Sequence, residues 1–125
     1  WKGALNGIIK KVINFILNKG CKRNHITAAI GHSITQNIKN VREDFKKKFI
    51  RKDGKNKKFF KNKKNVIYFD LPNFVKSQLK SNKITNIDMI NIDTFDKKNN
   101  FFSARRSLKL KHADYGRNIS IIMIN

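Results

Sequence analysis

Apolar residues recur along the chain in short, punctuated groups whose spacing predicts most of the elements. Leu5, Ile8, Ile9, Val12, Ile13 and Ile16 fall at helical intervals, with Lys10, Lys11 and Asn14 on the opposite side. That stripe predicts one amphipathic helix over residues 3–18, ended by Gly20 in a left-handed conformation. The apolar run 26–30, closed by Gly31, predicts a short buried strand. Asn40 and Glu43 have the spacing of a capping box and predict a helix running through Phe45 to about Phe49. Residues 66–69 predict another strand, followed by Asp70 as cap and Pro72 in the first turn of a helix. Phe74, Val75 and Leu79 supply the buried side of that helix. The run 84–92 alternates imperfectly and predicts a strand, while Phe101 and Phe102 open a buried segment. The last run, 119–124, is almost wholly apolar and predicts a central strand. Interleaved strands and helices define an α+β class, with mixed sheet layers covered by helices.

Residues 50–64 break this pattern. Eight lysines and arginines share the stretch with one acid, Asp53, and Gly54 adds flexibility. Self-repulsion predicts a mobile, solvated basic loop, anchored to the body by Phe59 and Phe60. The whole chain carries a formal charge of +21 over 125 residues, with a pI near 10.5. Such a charge predicts non-specific attraction to nucleic acid or anionic lipid. An AT-rich coding sequence would also enrich Lys, Asn and Ile together, so the charge has a compositional explanation as well.

Cysteine usage and hydropathy narrow the setting. Cys21 is the single cysteine, so no internal disulfide forms and no oxidising compartment is required. The amino-terminal apolar stretch is interrupted by Lys10 and Lys11 and is too short to span a bilayer. A cytoplasmic protein without a membrane anchor is the expectation. The chain opens on Trp1 rather than Met, consistent with a truncation, a processing site or a misplaced boundary.

Several separated pieces, in order, resemble the carboxy-terminal half of the laccase-like polyphenol oxidase family, whose members are also described as purine nucleoside phosphorylases. WKGALNGII resembles the end of that family's HAGWRG segment and the helix after it. AAIGHSI is similar to AxIGPCI, and YFDLPNFVKSQL to FDLxxxNxxxL with the Asn displaced. INIDTF stands where a strand usually ends in CTY. FFSARRS resembles FFSxRRD, and YGRNISIIMI resembles the GRxxxxIxL ending. The resemblance covers nearly all of residues 1–125, read as one partial domain, but about half of a complete family member.

The resemblance implies a specific chemistry. Family members bind one zinc or copper ion through two His and one Cys, all expected upstream of Trp1. It therefore implies no cofactor within this chain, although the complete member would hold zinc or copper. A metal needs three or four convergent donors before it can activate a nucleophile. The chain alone is accordingly expected to be inactive. The complete enzyme would take a purine nucleoside and phosphate, with a separately encoded amino-terminal half or a homo-oligomer as partner.

Candidate contacts follow from side-chain chemistry. Arg105 and Arg106, after Ser103, present planar forks suited to phosphate or a ribose edge, and the resemblance puts this block near the pocket. Against that stands a structural reading, in which one arginine fixes a loop. Arg117, after Gly116, either binds an anion or ends a turn. Lys2 replaces the family's arginine, keeping charge and losing the fork. Asp93 replaces the usual Cys, and either orients a base or caps a strand end. Ser107 replaces an Asp. Cys21, His25 and His32 offer only one pair at four-residue spacing, which is weak for a metal site.

Two further readings compete with the enzyme half. One is a degenerate, non-catalytic remnant, which these drifted motif positions favour. The other is a basic nucleic-acid-binding module, with lysines of 46–64 on phosphates and Phe59 and Phe60 stacking on bases.

Overall fold

A computed structural model describes residues 1–123. The amino-terminal stripe forms two helices, α1 (Lys2–Leu5) and α2 (Ile8–Asn18), instead of the single helix expected. Gly7 breaks it with φ of +80°, a conformation that glycine adopts without steric cost. The break lets the two pieces serve different cores. Ala4 and Leu5 pack on a phenylalanine cluster, whereas Ile9, Ile13 and Leu17 pack on a second, aliphatic one. Gly20 ends α2 at φ +91° as the sequence indicates.

Strand β1 (Thr27–Ile30) matches its expected position and pairs in parallel with β5 (Asn86–Met89). Strand β5 is shorter than the run 84–92, because Ile84 is fully buried against Ile13 and Leu79 before pairing begins. Beyond the strands the two segments stay in register, with Ser33 N–H donating to Ile92 O and Thr94 N–H to Ser33 O.

A second sheet holds β2 (Asn40–Val41), β4 (Val66–Phe69) and β3 (Phe60–Lys63), antiparallel in the order β2-β4-β3. Asn40 thus lies in a strand opposite Tyr68 and does not cap the next helix. Arg42 holds that cap position without a side-chain bond, and Glu43 and Asp44 instead face the helix dipole from the first turn of α3 (Glu43–Lys52). The expected helix is real, but it starts later and runs past Phe49.

The stretch read as a basic loop is built into elements. Its first residues finish α3, Gly54–Phe59 forms a 3-10 turn, and Phe60–Lys63 is β3. The Asp53 carboxylate accepts from Lys55 N–H at 2.8 Å to start the turn. Lys64 and Asn65, at φ +48° and +59°, close a two-residue hairpin into β4. What overrides charge repulsion is aromatic packing. Phe49, Phe59, Phe69 and Phe74 form the buried cluster, with Phe49 and Phe74 edge-on at 5.1 Å and Phe45 and Phe69 at 5.2 Å.

Helix α4 (Leu71–Ser81) ties the two cores together, sending Phe74 into the first and Leu79 into the second. Its cap is the expected one, Asp70 accepting from Asn73 N–H at 3.1 Å, with Pro72 in the first turn. The last helix, α5 (Ala104–Lys109), follows Ser103.

Two apolar expectations fail. Phe102 is 57% exposed, its ring lying over Gly116 rather than in a core. Within the run 119–124, Ile119, Ile121, Ile122 and Met123 are exposed and form no strand, and Ile124 lies outside the described residues. A central strand requires neighbours to take its N–H and C=O groups. Among the described residues no strand pairs with this run. The α+β class itself holds, with parallel and antiparallel sheets packed on helices.

Candidate functional site

The cleft is assembled where β2, the start of α3 and the start of α5 meet. Lys39 sits just before β2, its N–H donating to Thr35 O at 3.1 Å and its carbonyl accepting from Phe69 N–H at 3.0 Å. With both main-chain groups committed, the side chain extends over Phe69, the ammonium 5.5 Å from the ring centroid. Lys39 is only 8% exposed. Burial, and secondarily the Arg105 guanidinium, push its pKa from 10.5 down to about 8.

Arg105 comes from the first turn of α5. Its fork grips Asn40, one nitrogen donating to the side-chain oxygen and the other to the main-chain carbonyl. Neither Lys39 nor Arg105 has a carboxylate within ion-pair distance among the described residues, where Lys46–Glu43 is the one ion pair. The two cations open into a cleft of about 750 Å³, also lined by Trp1, Asn40, Asp44 and Ser103. Trp1 packs edge-on against Phe45 at 4.8 Å and forms an apolar wall. Two adjacent cations beside an apolar wall suit an anion carried on a flat organic group.

The sequence candidates separate into distinct roles. Ser103 is buried and caps α5, its hydroxyl accepting from Arg106 N–H at 3.3 Å. Arg106 turns away from the cleft and donates to the carbonyls of Thr94 at 3.0 Å and Phe95 at 2.8 Å, and to Phe101 O. It is the fastener of the loop between β5 and α5. Arg117 stacks on Tyr115, 4.2 Å from the ring centroid, and donates to the Tyr115 carbonyl. Lys2 lies beside Trp1, 5.9 Å from its ring centroid, and is exposed. Asp93 caps, accepting from Phe95 N–H at 2.7 Å and from the Thr35 hydroxyl.

Of the five candidates, the cleft thus brings together Ser103 and Arg105. Sequence reasoning missed Lys39 and Asn40. One lysine among many carries no mark of burial; a signal was available only in the apolar neighbours Ile38 and Val41.

In this α+β fold Lys39 and Arg105 share one cleft, with no ion pair to either among the described residues. The chain belongs to the family described as multi-copper polyphenol oxidoreductase laccase, whose model matches residues 1–125. It is 38% identical over 121 residues to a purine nucleoside phosphorylase of Rickettsia conorii, covering 95% of this chain and 49% of the relative. It is 35% identical over 113 residues to a purine nucleoside phosphorylase of Rickettsia prowazekii, covering 89% and 46% respectively. The chain spans about half the length of the curated relatives it matches.

The family name implies a metal, and the donors here do not assemble one. Cys21 is exposed, His25 ends a 3-10 turn, and the His32 ring stacks on Phe101 at 3.8 Å. Among the described residues no three His, Cys, Asp or Glu side chains converge. No helix among them is long and apolar enough to cross a membrane.

Proposed function

We propose that this chain supplies the phosphate-binding face of a purine nucleoside phosphorylase whose metal donors belong to another part of the polypeptide assembly. The observation that carries this reading is the Lys39–Arg105 pair. Two cations are held together in a cleft, one of them buried, with no acid paired to either among the described residues. An inorganic phosphate would relieve both the desolvation and the mutual repulsion. In phosphorolysis a phosphate oxygen bonds to C1′ of the ribose as the glycosidic C1′–N bond breaks. The purine leaves with the electron pair and takes a proton. This chain's part is to hold the attacking phosphate, with the Trp1 wall bordering the organic portion of the substrate.

The apolar surface supports the idea of a larger assembly. Ile8, Val12 and Phe15 on α2, Ile90 and Ile92 after β5, and Ile119, Ile121 and Ile122 are all exposed. Monomeric proteins keep such apolar area small, so a covering partner, from a second half or a second copy, is the economical reading.

The test is phosphate-dependent release of hypoxanthine from inosine. The chain by itself is expected to be silent. Co-expression with a polypeptide carrying two His and one Cys donor is expected to give activity that Arg105→Ala removes. Activity from this chain alone, or an active complex indifferent to Arg105→Ala, would overturn the reading.

A further inference from the structure

We infer that the open face of the β2-β4-β3 sheet is a track for single-stranded nucleic acid, with Tyr68 as its base-stacking ring. The antiparallel register sets Tyr68 between Lys61 on β3 and Asn40 on β2, and pairs Lys63 with Val66. Directly opposed residues share a face of a sheet, as do residues two apart along a strand. Asn40, Lys61, Lys63, Val66 and Tyr68 therefore lie on one face. Phe60 and Phe69 alternate to the other face, where their rings meet at 4.8 Å within the phenylalanine cluster.

Two adjoining depressions on this side of the molecule are built alike. One, of about 540 Å³, sets Tyr68 among Lys61, Lys63 and Lys64. The other, of about 600 Å³, sets Tyr68 and Phe95 among Arg105 and Lys109, with the Lys109 ammonium 5.8 Å from the Phe95 ring centroid. Tyr68 and Asn37 border both, so the two run together. The stacking role expected of Phe59 and Phe60 passes to Tyr68, because Phe59 is 7% exposed and Phe60 packs on the buried cluster.

The repeated pairing of ring and cation selects the ligand. An unpaired strand offers a flat base and an anionic phosphate at every nucleotide, and proteins hold it by stacking bases on aromatic faces while cations follow the phosphates. A single nucleotide would fill one depression and leave the other empty. A duplex keeps its base faces stacked inside and would meet the lysines alone. Tyr68 and Phe95 are part-buried in the walls of the depressions rather than projecting from them, so a bilayer gains little from either ring. Stacking on a base and attracting a phosphate do not read the sugar, so DNA and RNA strands are equivalent ligands here.

The experiment is fluorescence anisotropy with labelled oligo(dT) and oligo(U) of about ten nucleotides over a range of salt concentrations. A duplex of the same length, thymidine monophosphate and phosphatidylserine/phosphatidylcholine vesicles serve as competitors. Binding here requires no phosphorolysis, and Arg105, which also borders the phosphate cleft, is left unaltered in every variant. Both oligomers are expected to bind alike. Tyr68→Leu should weaken binding about tenfold at every salt concentration without changing the salt slope, and Tyr68→Phe, which keeps the ring, should retain it. Lys61→Gln with Lys63→Gln should lower the slope of log affinity against log salt by about 1.4. Lys11→Gln with Lys22→Gln removes equal charge from residues that border neither depression and should leave that slope in place. Retained binding by Tyr68→Phe separates a lost stacking contact from a lost fold. Stronger competition from the duplex, the mononucleotide or the vesicles than from unlabelled oligomer, an indifferent Tyr68→Leu, or an equal loss of slope from the control pair would each sink the inference.

Discussion

Arg105 holds Asn40 by both its side-chain oxygen and its carbonyl, and in doing so fixes a second cation beside buried Lys39. The bonds run from the first turn of α5 to β2, across 65 residues of sequence. They commit much of the guanidinium's donor capacity without an ion pair to any acid among the described residues. The site is thus held in place by neutral partners, and its positive potential stays available to a ligand.

Lys39 should make both stability and anion binding depend on pH. Its folded pKa lies near 8, below the 10.5 it would have when exposed. The unfolded chain therefore binds more protons between those values, and stability rises with pH from about 8 to 10.5. Below 8 the penalty for the buried charge is present in full. Phosphate binding runs the other way and should weaken as pH rises through 8. Chemical denaturation at pH 7 and pH 10, compared with Lys39→Met, checks the first point. The variant should gain on the order of 2 kcal/mol at pH 7 and little at pH 10.

Adjacent arginines should give opposite phenotypes. Arg106→Ala leaves three carbonyls of the β5–α5 loop without their donor and should destabilise the fold by about 2–4 kcal/mol. Arg105→Ala should cost about 1 kcal/mol or less, since Asn40 is exposed and water can replace the fork. Thermal melts of the two variants, set beside phosphate titrations, distinguish a fastener from a ligand contact.

Gly116 should resist substitution despite lying in an irregular segment. A Cβ there would run into the Phe102 ring, and Asn118 pins the Phe102 main chain through bonds of 2.9 and 2.8 Å. Gly116→Ala should destabilise by about 1–3 kcal/mol and displace Phe102, which also lines the Lys39–Arg105 cleft. Combining it with Phe102→Ala should recover most of that loss, because the clash is removed.

Lys83 follows α4 in the left-handed region at φ +62° and is exposed. Glycine carries no steric penalty there, so Lys83→Gly should stabilise by roughly 0.5–1 kcal/mol. A lower melting temperature would contradict the assignment of strain.

Local rules were legible in the sequence where they acted alone. The Asp70–Pro72 helix start, the Gly20 stop and strands β1 and β4 follow from capping, glycine conformation and apolar runs. The α+β class follows from their order. What could not be read was long-range packing that overrules local charge. The lysine-rich stretch folds into ordered elements because Phe59 and Phe60 find Phe49, Phe69 and Phe74 in space. The run 119–123 fails as a strand for the converse reason, since its strong local preference meets no partner strand among the described residues. In the site, Arg105 was visible through its motif, whereas Lys39 becomes distinctive only once β2 and Phe69 bury it. Arg106 looked equivalent to its neighbour until the loop carbonyls claimed it.

The most direct measurement is a phosphate titration of the protein with isotopically labelled lysine and arginine side chains, followed by NMR. Saturable shifts confined to the Lys39 ammonium and the Arg105 guanidinium, absent for Lys97 and for Arg117, are the outcome expected of a phosphate-binding cleft. Shifts spread evenly over the surface lysines, with Lys39 and Arg105 unmoved, would contradict it.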